Sequence, residues 1–360
     1  MSIEAPLTAT LPAGPTRRRL CSAMAGGALL ALLGMPGARA ETRRTLSYYG
    51  GQLRLPERIT RIATAWEAQN AVIAMLGHGQ DIVASTRIVR QMPVFRRFVP
   101  SIADAALASG GGANDVNVEE LLRVRPELLF VAGSLPPAKR KVLEGAGIAI
   151  VELRANSLDA LLERVRISGE ILGPQAQEKA RDYQAYFQDN VARVRRALEG
   201  VPAEKRRRLY HCMGDPLSTS GRPSLNQDWM DLGGAINVAE HWFATPVPSG
   251  KVSLEQIIAA DPDVIVAMRA DDAALIRRDP RWAGLRAVRE GQVHANPRGM
   301  FWWCRETSEE ALQFLWLARL LYPDALAGID MREETRTFYQ RFYGYRLNDD
   351  EIAEFLQPRS

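Results

Sequence analysis

The chain is poor in the residues that make disulfide scaffolds and metal centres: 360 residues hold three cysteines and four histidines. Cys21 falls within an N-terminal export-type segment, which leaves Cys212 and Cys304; one bond between them would not form a framework, and both read as structural. His78, His211, His241 and His294 lie far apart with no metal-ligand spacing, so a bare transition-metal site is not expected. His211 and His294 fall on expected strands and read as core residues. No apolar run reaches the ~20 residues that a membrane-spanning helix needs. The 46 Lys and Arg exceed the 42 Asp and Glu and give a pI of about 9.0. The surplus is scattered, without a dense basic tract interleaved with aromatics, so nucleic acid is not an expected partner. A P-loop, a G-x-S-x-G elbow, an H-E-x-x-H pair and a strand-linked G-x-G-x-x-G are all missing. An exported cofactor-dependent enzyme therefore stands only as a rival class, and neither catalytic residues nor an intrinsic cofactor are expected.

The N-terminus carries export chemistry. Thr16-Arg17-Arg18-Arg19-Leu20 precedes a moderately apolar run from Ala23 to Leu33, then Pro36 and Ala38-Arg39-Ala40. That order is a twin-arginine-type basic region, an apolar region and an A-x-A cleavage site, so residues 1–40 are expected to be a signal peptide cut after Ala40, with the mature chain in the periplasm.

The remainder alternates short β-branched runs with amphipathic stretches, the pattern of βα units on largely parallel sheets. Expected strands are Arg61 to Ala65, Ile82 to Ala84, Leu128 to Val131, Ile148 to Glu152, Leu209 to Cys212, Val264 to Ala267 and Val293 to Ala295. The most informative feature is an internal echo. Asn117-Val-Glu-Glu-Leu-Leu-Arg-Val-Arg-Pro-Glu-Leu-Leu-Phe-Val-Ala132 aligns without a gap on Ser253-Leu-Glu-Gln-Ile-Ile-Ala-Ala-Asp-Pro-Asp-Val-Ile-Val-Ala-Met268. Each copy opens on a capping residue with Glu or Gln three positions on, predicting a capping box and a short helix. Pro126 and Pro262 then end the helix before a buried parallel strand. Between the copies, Pro174 to Leu198 reads as one long helix starting on a first-turn proline, ~35 Å at 1.5 Å per residue. The expected organisation is α/β: a lobe over residues 41–172, a connecting helix over 173–200, and a second Rossmann-like lobe over 201–360.

These residues resemble the periplasmic binding proteins of the iron-siderophore and cobalamin importer family, in which one long helix joins two α/β lobes (class III). The resemblance rests on Asn117-Val-Glu119, Leu217-Ser-Thr-Ser-Gly221, Asn226 followed by Leu232-Gly-Gly-Ala-Ile-Asn-Val238, and Val252-Ser-Leu-Glu-Gln-Ile257. Leu315-Trp-Leu-Ala-Arg-Leu-Leu-Tyr-Pro323 and Phe338-Tyr-Gln-Arg-Phe-Tyr-Gly344 are similar to the family's C-terminus, and the likeness extends from Leu46 to Leu356. It implies a monomeric solute-binding subunit that delivers a ligand to an ABC permease dimer with its cytoplasmic ATPase. It also implies that Glu119 and Glu255, first-turn carboxylates at matching positions, dock onto arginine-rich permease pockets; the helix dipole favours acids there on its own account.

The ligand is expected between the lobes, on loops at the C-terminal ends of strands. Those loops carry Trp66, Arg87, Ser220, Arg222, Lys251, Arg269, Arg298, Trp302, Trp303 and Arg305. Flat rings beside guanidinium forks suit a large anionic metal chelate carrying iron or cobalt, such as a ferric siderophore, haem or a cobalamin-like ligand. A small molybdate-like oxyanion or a nickel or cobalt chelate is the alternative. A long helix as sole connector predicts little closure on the ligand.

Overall fold

The computed structural model describes residues 43–49, 51–111, 113–245 and 249–359; the signal-peptide reading lies outside them. An antiparallel hairpin of β1 (Arg43–Tyr48) and β2 (Gly51–Pro56) leads into a five-stranded parallel sheet. Its members are β3 (Ile62–Thr64), β4 (Ile82–Thr86), β5 (Ala106–Ser109), β6 (Leu128–Ala132) and β7 (Ala149–Leu153), in the order β5-β4-β3-β6-β7. In the second half come β8 (Arg208–Cys212), β9 (Ser218–Thr219), β10 (Ile236–Asn237), β11 (Gly250–Lys251), β12 (Val264–Ala267) and β13 (Val293–Ala295). Here a separate four-stranded parallel sheet has the order β10-β8-β12-β13, and β9 pairs with β11 antiparallel.

The echo is a structural duplication. The Val118–Val124 helix precedes β6, and the Leu254–Ala260 helix precedes β12; each strand lies between the first and last strands of its own sheet. Arg125 and Asp261, at matching C-caps, both adopt left-handed backbone, with φ of 46° and 37°. Even the clamp at the strand base repeats. The Glu127 carboxylate accepts the Arg61 N–H, and that of Asp263 accepts the Arg208 N–H. The guanidiniums of Arg61 and Arg208 then donate back to the matching helix-end carbonyls of Val124 and Ala260. Only the second copy forms the full capping box: Ser253 and Gln256 satisfy each other's backbone. At the first, Asn117 accepts the Glu120 N–H, but the Glu120 side chain turns to Arg123 and leaves the box half made.

Both faces of each sheet are covered, which is why the strands read as unbroken apolar runs. Leu129 and Val131 of β6 point to an outer core with Leu121 and Leu143, and Ile265 and Ala267 of β12 to another with Ile257 and Ile276. Their neighbours Phe130 and Val266 share one inner core with Tyr183, Phe187, Phe314, Phe338 and Phe355. The Pro174–Leu198 helix runs through this core. It folds back on the Leu158–Leu172 helix at Gly173, whose φ of 116° a side chain would strain. Gly169 permits the close approach: a Cβ there would stand 2.8 Å from Cβ of Ala180.

One expectation needs correction. The long helix is not the sole link between the halves, because the Met331–Tyr343 and Asp349–Leu356 helices return to the first lobe. Tyr345 and Tyr339 pack on Phe98, the Tyr343 hydroxyl donates to the Ala71 carbonyl, and Arg97 pairs with Glu351 at 2.8 Å.

Candidate functional site

The loops leaving β3, β7, β8 and β13 converge between the two sheets, as open parallel sheets dictate. They enclose a cavity of about 200 Å³. Trp66, Glu67, Ala68, Ala155 and Asn156 line it from the first lobe; Met213, Leu225, Asn226, Phe301, Cys304, Arg305 and Glu306 line it from the second.

Two helices begin at this cavity, one from each lobe. The Glu67–Met75 helix starts at Trp66 with no side-chain cap, so its positive dipole end faces the cavity. The Leu225–Leu232 helix starts opposite, capped by Ser224 and by the Asn156 side-chain oxygen, which accepts the Leu225 N–H at 3.3 Å. Asn156 also donates its backbone N–H to the Glu306 carboxylate. Both Asn156 and Glu306 have positive φ, 69° and 55°, so each side of the cleft holds a residue in sparsely populated backbone pinned by its partner across the gap.

Beneath the floor lies Arg164, which is wholly buried. Its guanidinium stacks 4.0 Å from the centre of the Trp66 ring, donates to Gln69 Oε1 at 3.2 Å, and reaches the Glu306 carbonyl. Burial draws its pKa down to about 10, leaving it charged at neutral pH. Burial also raises the carboxyls of Glu67 and Glu306; at Glu67 the residue's own backbone N–H and then Arg305 oppose the shift, and at Glu306 chiefly Arg164 opposes it. The site is therefore small and receives positive potential from Arg164, Arg305 and two helix ends, with two carboxyls whose ionisation burial resists.

Of the ten ligand candidates read from the sequence, the cavity gathers Trp66 and Arg305. Arg269, Arg298 and Trp302 border a different depression, closed by Pro358 and Arg359 of the C-terminal tail, with Arg298 over the Trp302 ring at 5.6 Å. Trp303 and Ser220 are corrected: the indole is fully buried, and Ser220, 1% exposed, accepts from the Asn226 amide at 2.9 Å. Arg222 is held on the surface by Glu240 and Asp231, and Lys251 by Asp215 at 3.2 Å. Arg87 is exposed outside the cavity lining. Sequence reasoning missed Arg164, Glu67, Asn156 and Glu306. A mid-helix arginine on an otherwise apolar face was the one signal that marked Arg164. Cys212 and Cys304 are both free and buried, and Cys304 forms part of the cavity wall. Burial lowers the His211 pKa to about 3, keeping that imidazole neutral. Among the described residues no group of three or more His, Cys, Asp or Glu is placed to hold a metal ion.

The fold has known counterparts. The molybdate-binding protein MolA of Haemophilus influenzae is 25% identical over 322 residues, 83% of this chain and 87% of that one. Its solved structure with molybdate bound superposes with a TM-score of 0.75 at 23% identity, covering 85% and 99% of the two chains. A periplasmic solute-binding protein from Veillonella parvula gives a TM-score of 0.76 at 24% identity, covering 88% and 97%. A cobalamin-binding protein of Halobacterium salinarum is 27% identical over 173 residues, about half of each chain. These relatives are solute-binding proteins, and capture rather than catalysis is what such a cleft provides. The periplasmic binding protein family model matches residues 62–298, from the first strand of one sheet past the last strand of the other, and the chain belongs to that family.

Proposed function

We propose that this chain is the periplasmic solute-binding subunit of an ABC importer and that its interlobe cavity takes a small tetrahedral oxyanion of the molybdate type. The size and charge of the cavity carry the reading. Pockets that bury drug-sized ligands run to roughly 300–1,000 Å³, and a tetrapyrrole or siderophore chelate needs more room than the about 200 Å³ found here. A compact anion fits that volume, and two helix N-termini with Arg305 are chemistry suited to it. The likeness to MolA, which binds molybdate, supports the same choice. On this reading the metal is the centre of the oxyanion itself, not iron or cobalt in a chelate, and no resident cofactor takes part.

Delivery follows from the twin helices. Glu119 and Glu255 are exposed in the first turns of helices that run antiparallel to β6 and β12, which puts both at the cleft end of their sheets. Neither forms an ion pair within the described residues, so both are open to cationic pockets of a permease dimer with its ATPase, approached by the monomeric binding protein after export and removal of residues 1–40. Molybdate added to the purified chain should quench the fluorescence of Trp66 saturably, and Arg305→Gln should weaken that response about tenfold or more. An unchanged response in the variant would remove Arg305 from the site.

A further inference from the structure

Among the described residues, the large hydrophobic side chains left exposed are Ile88, Leu122, Val142, Ile258 and Leu275. Four of these five form two matched pairs. Leu122 and Ile258 occupy the same position of the duplicated helices, 36% and 47% exposed, while the residue before each, Leu121 or Ile257, is wholly buried. Val142 and Leu275 are each the sixth residue of the nine-residue helix that follows β6 or β12, Pro137–Gly145 and Ala270–Arg278, at 49% and 45% exposed. The residues after them, Leu143 and Ile276, are again buried. Exposed aliphatics at twinned positions suit a partner that meets both lobes alike.

Leu122 stands three residues after Glu119, and Ile258 three after Glu255, so each acid and its aliphatic neighbour share one helix face. The Val142 helix packs on the Val118–Val124 helix, and the Leu275 helix covers the same outer core as the Leu254–Ala260 helix, so both pairs lie on the outer side of their lobe.

We propose that the permease-docking surface is a duplicated acid-and-aliphatic patch, Glu119-Leu122-Val142 on one lobe and Glu255-Ile258-Leu275 on the other. This rests on the importer reading above and specifies what the partner must offer. The partner is a two-fold symmetric membrane protein, each half presenting a cation beside an apolar depression. The unpaired carboxylates supply orientation and the aliphatic pairs supply area that is desolvated only on docking.

The test uses the full mature chain and the cognate permease–ATPase complex in nanodiscs, with docking read by surface plasmon resonance. Leu122→Ser with Ile258→Ser should weaken docking about tenfold or more, leaving thermal unfolding and molybdate binding at wild-type values. Each single variant should contribute a comparable share. Glu119→Gln with Glu255→Gln serves as the separate arm. If the glutamine pair abolishes docking while the serine pair docks like wild type, the aliphatic patch is overturned and the importer reading stands. If the wild-type chain fails to dock, the importer reading itself falls. A loss confined to one lobe's single variant overturns the twinned surface. Wild-type dimers in sedimentation that the serine pair converts to monomers would reassign the patch to self-association.

Discussion

The Arg164 guanidinium lies 4.0 Å from the centre of the Trp66 ring and joins the first lobe to the Glu306 carbonyl of the second. It lies close to the buried carboxyls of Glu306 and Glu310, whose pKa shifts it opposes, and it supports the ring that forms one wall of the cavity. Arg164→Met keeps most of the volume but leaves the Gln69 side-chain oxygen and the Glu306 carbonyl without their buried donor. Urea unfolding should show a loss of about 1–3 kcal/mol, the usual consequence of leaving a buried acceptor without its donor. An unshifted midpoint would mean that the guanidinium holds nothing together.

Glu67 gives the cavity a pH dependence of definite sign. Burial raises its carboxyl above the ordinary range, with its own backbone N–H and then Arg305 only partly opposing. As pH rises through that raised value the group ionises and adds negative charge beside the ligand, so oxyanion affinity should fall; as pH drops, affinity should strengthen. The same proton uptake lends the fold stability below the raised pKa and withdraws it above. Glu67→Gln should flatten the profile and tighten binding at neutral pH by about threefold to tenfold. Titrations from about pH 5, just above the ordinary carboxylate range, to about pH 8 check both expectations, since the mutant removes the ionising group itself.

The aromatic seam between Phe98 and the C-terminal segment, with centroid separations of 4.6 Å to Tyr345 and 5.3 Å to Tyr339, ties the lobes a second time, through a helix that packs on the long one. With two ties, closure on ligand should be slight, and small-angle scattering curves with and without molybdate should superimpose. Phe98→Ala should cost about 2–4 kcal/mol and make the two curves diverge.

Much of this fold was legible from local chemistry. The Pro174–Leu198 helix was bounded by a first-turn proline and the end of its polar pattern, and β12 by a β-branched run after Pro262. The duplicated helices followed from capping residues and prolines at equal spacing. β5 was missed because Ala106-Leu-Ala-Ser109 carries no β-branched residue and forms only by pairing with β4. The site was legible only in part. Trp66 and Arg305 stood out by type and by position after strands. Asn156 and Glu306 matter through backbone geometry set by contacts between lobes, which no local pattern encodes. Trp303 and Trp302 are adjacent and identical in type, and only packing makes one fully buried and the other half-buried.

The two thiols of the described residues should be chemically silent in the native state. Cys212 and Cys304 are unpaired, and burial pushes both thiols well above the usual range, so thiolate is scarce. Ellman's reagent should react with neither at neutral pH and with both at once in denaturant. Reaction of either thiol in the native state would contradict the burial seen here.

The central claim is that the cavity admits a small oxyanion and excludes a large chelate. Isothermal titration of the purified mature chain with molybdate, haemin and cyanocobalamin tests this most directly. The account predicts saturable binding of molybdate at one ion per chain and no saturable heat from either tetrapyrrole-type ligand. Stoichiometric binding of haemin or cyanocobalamin, with molybdate giving no signal, would contradict it.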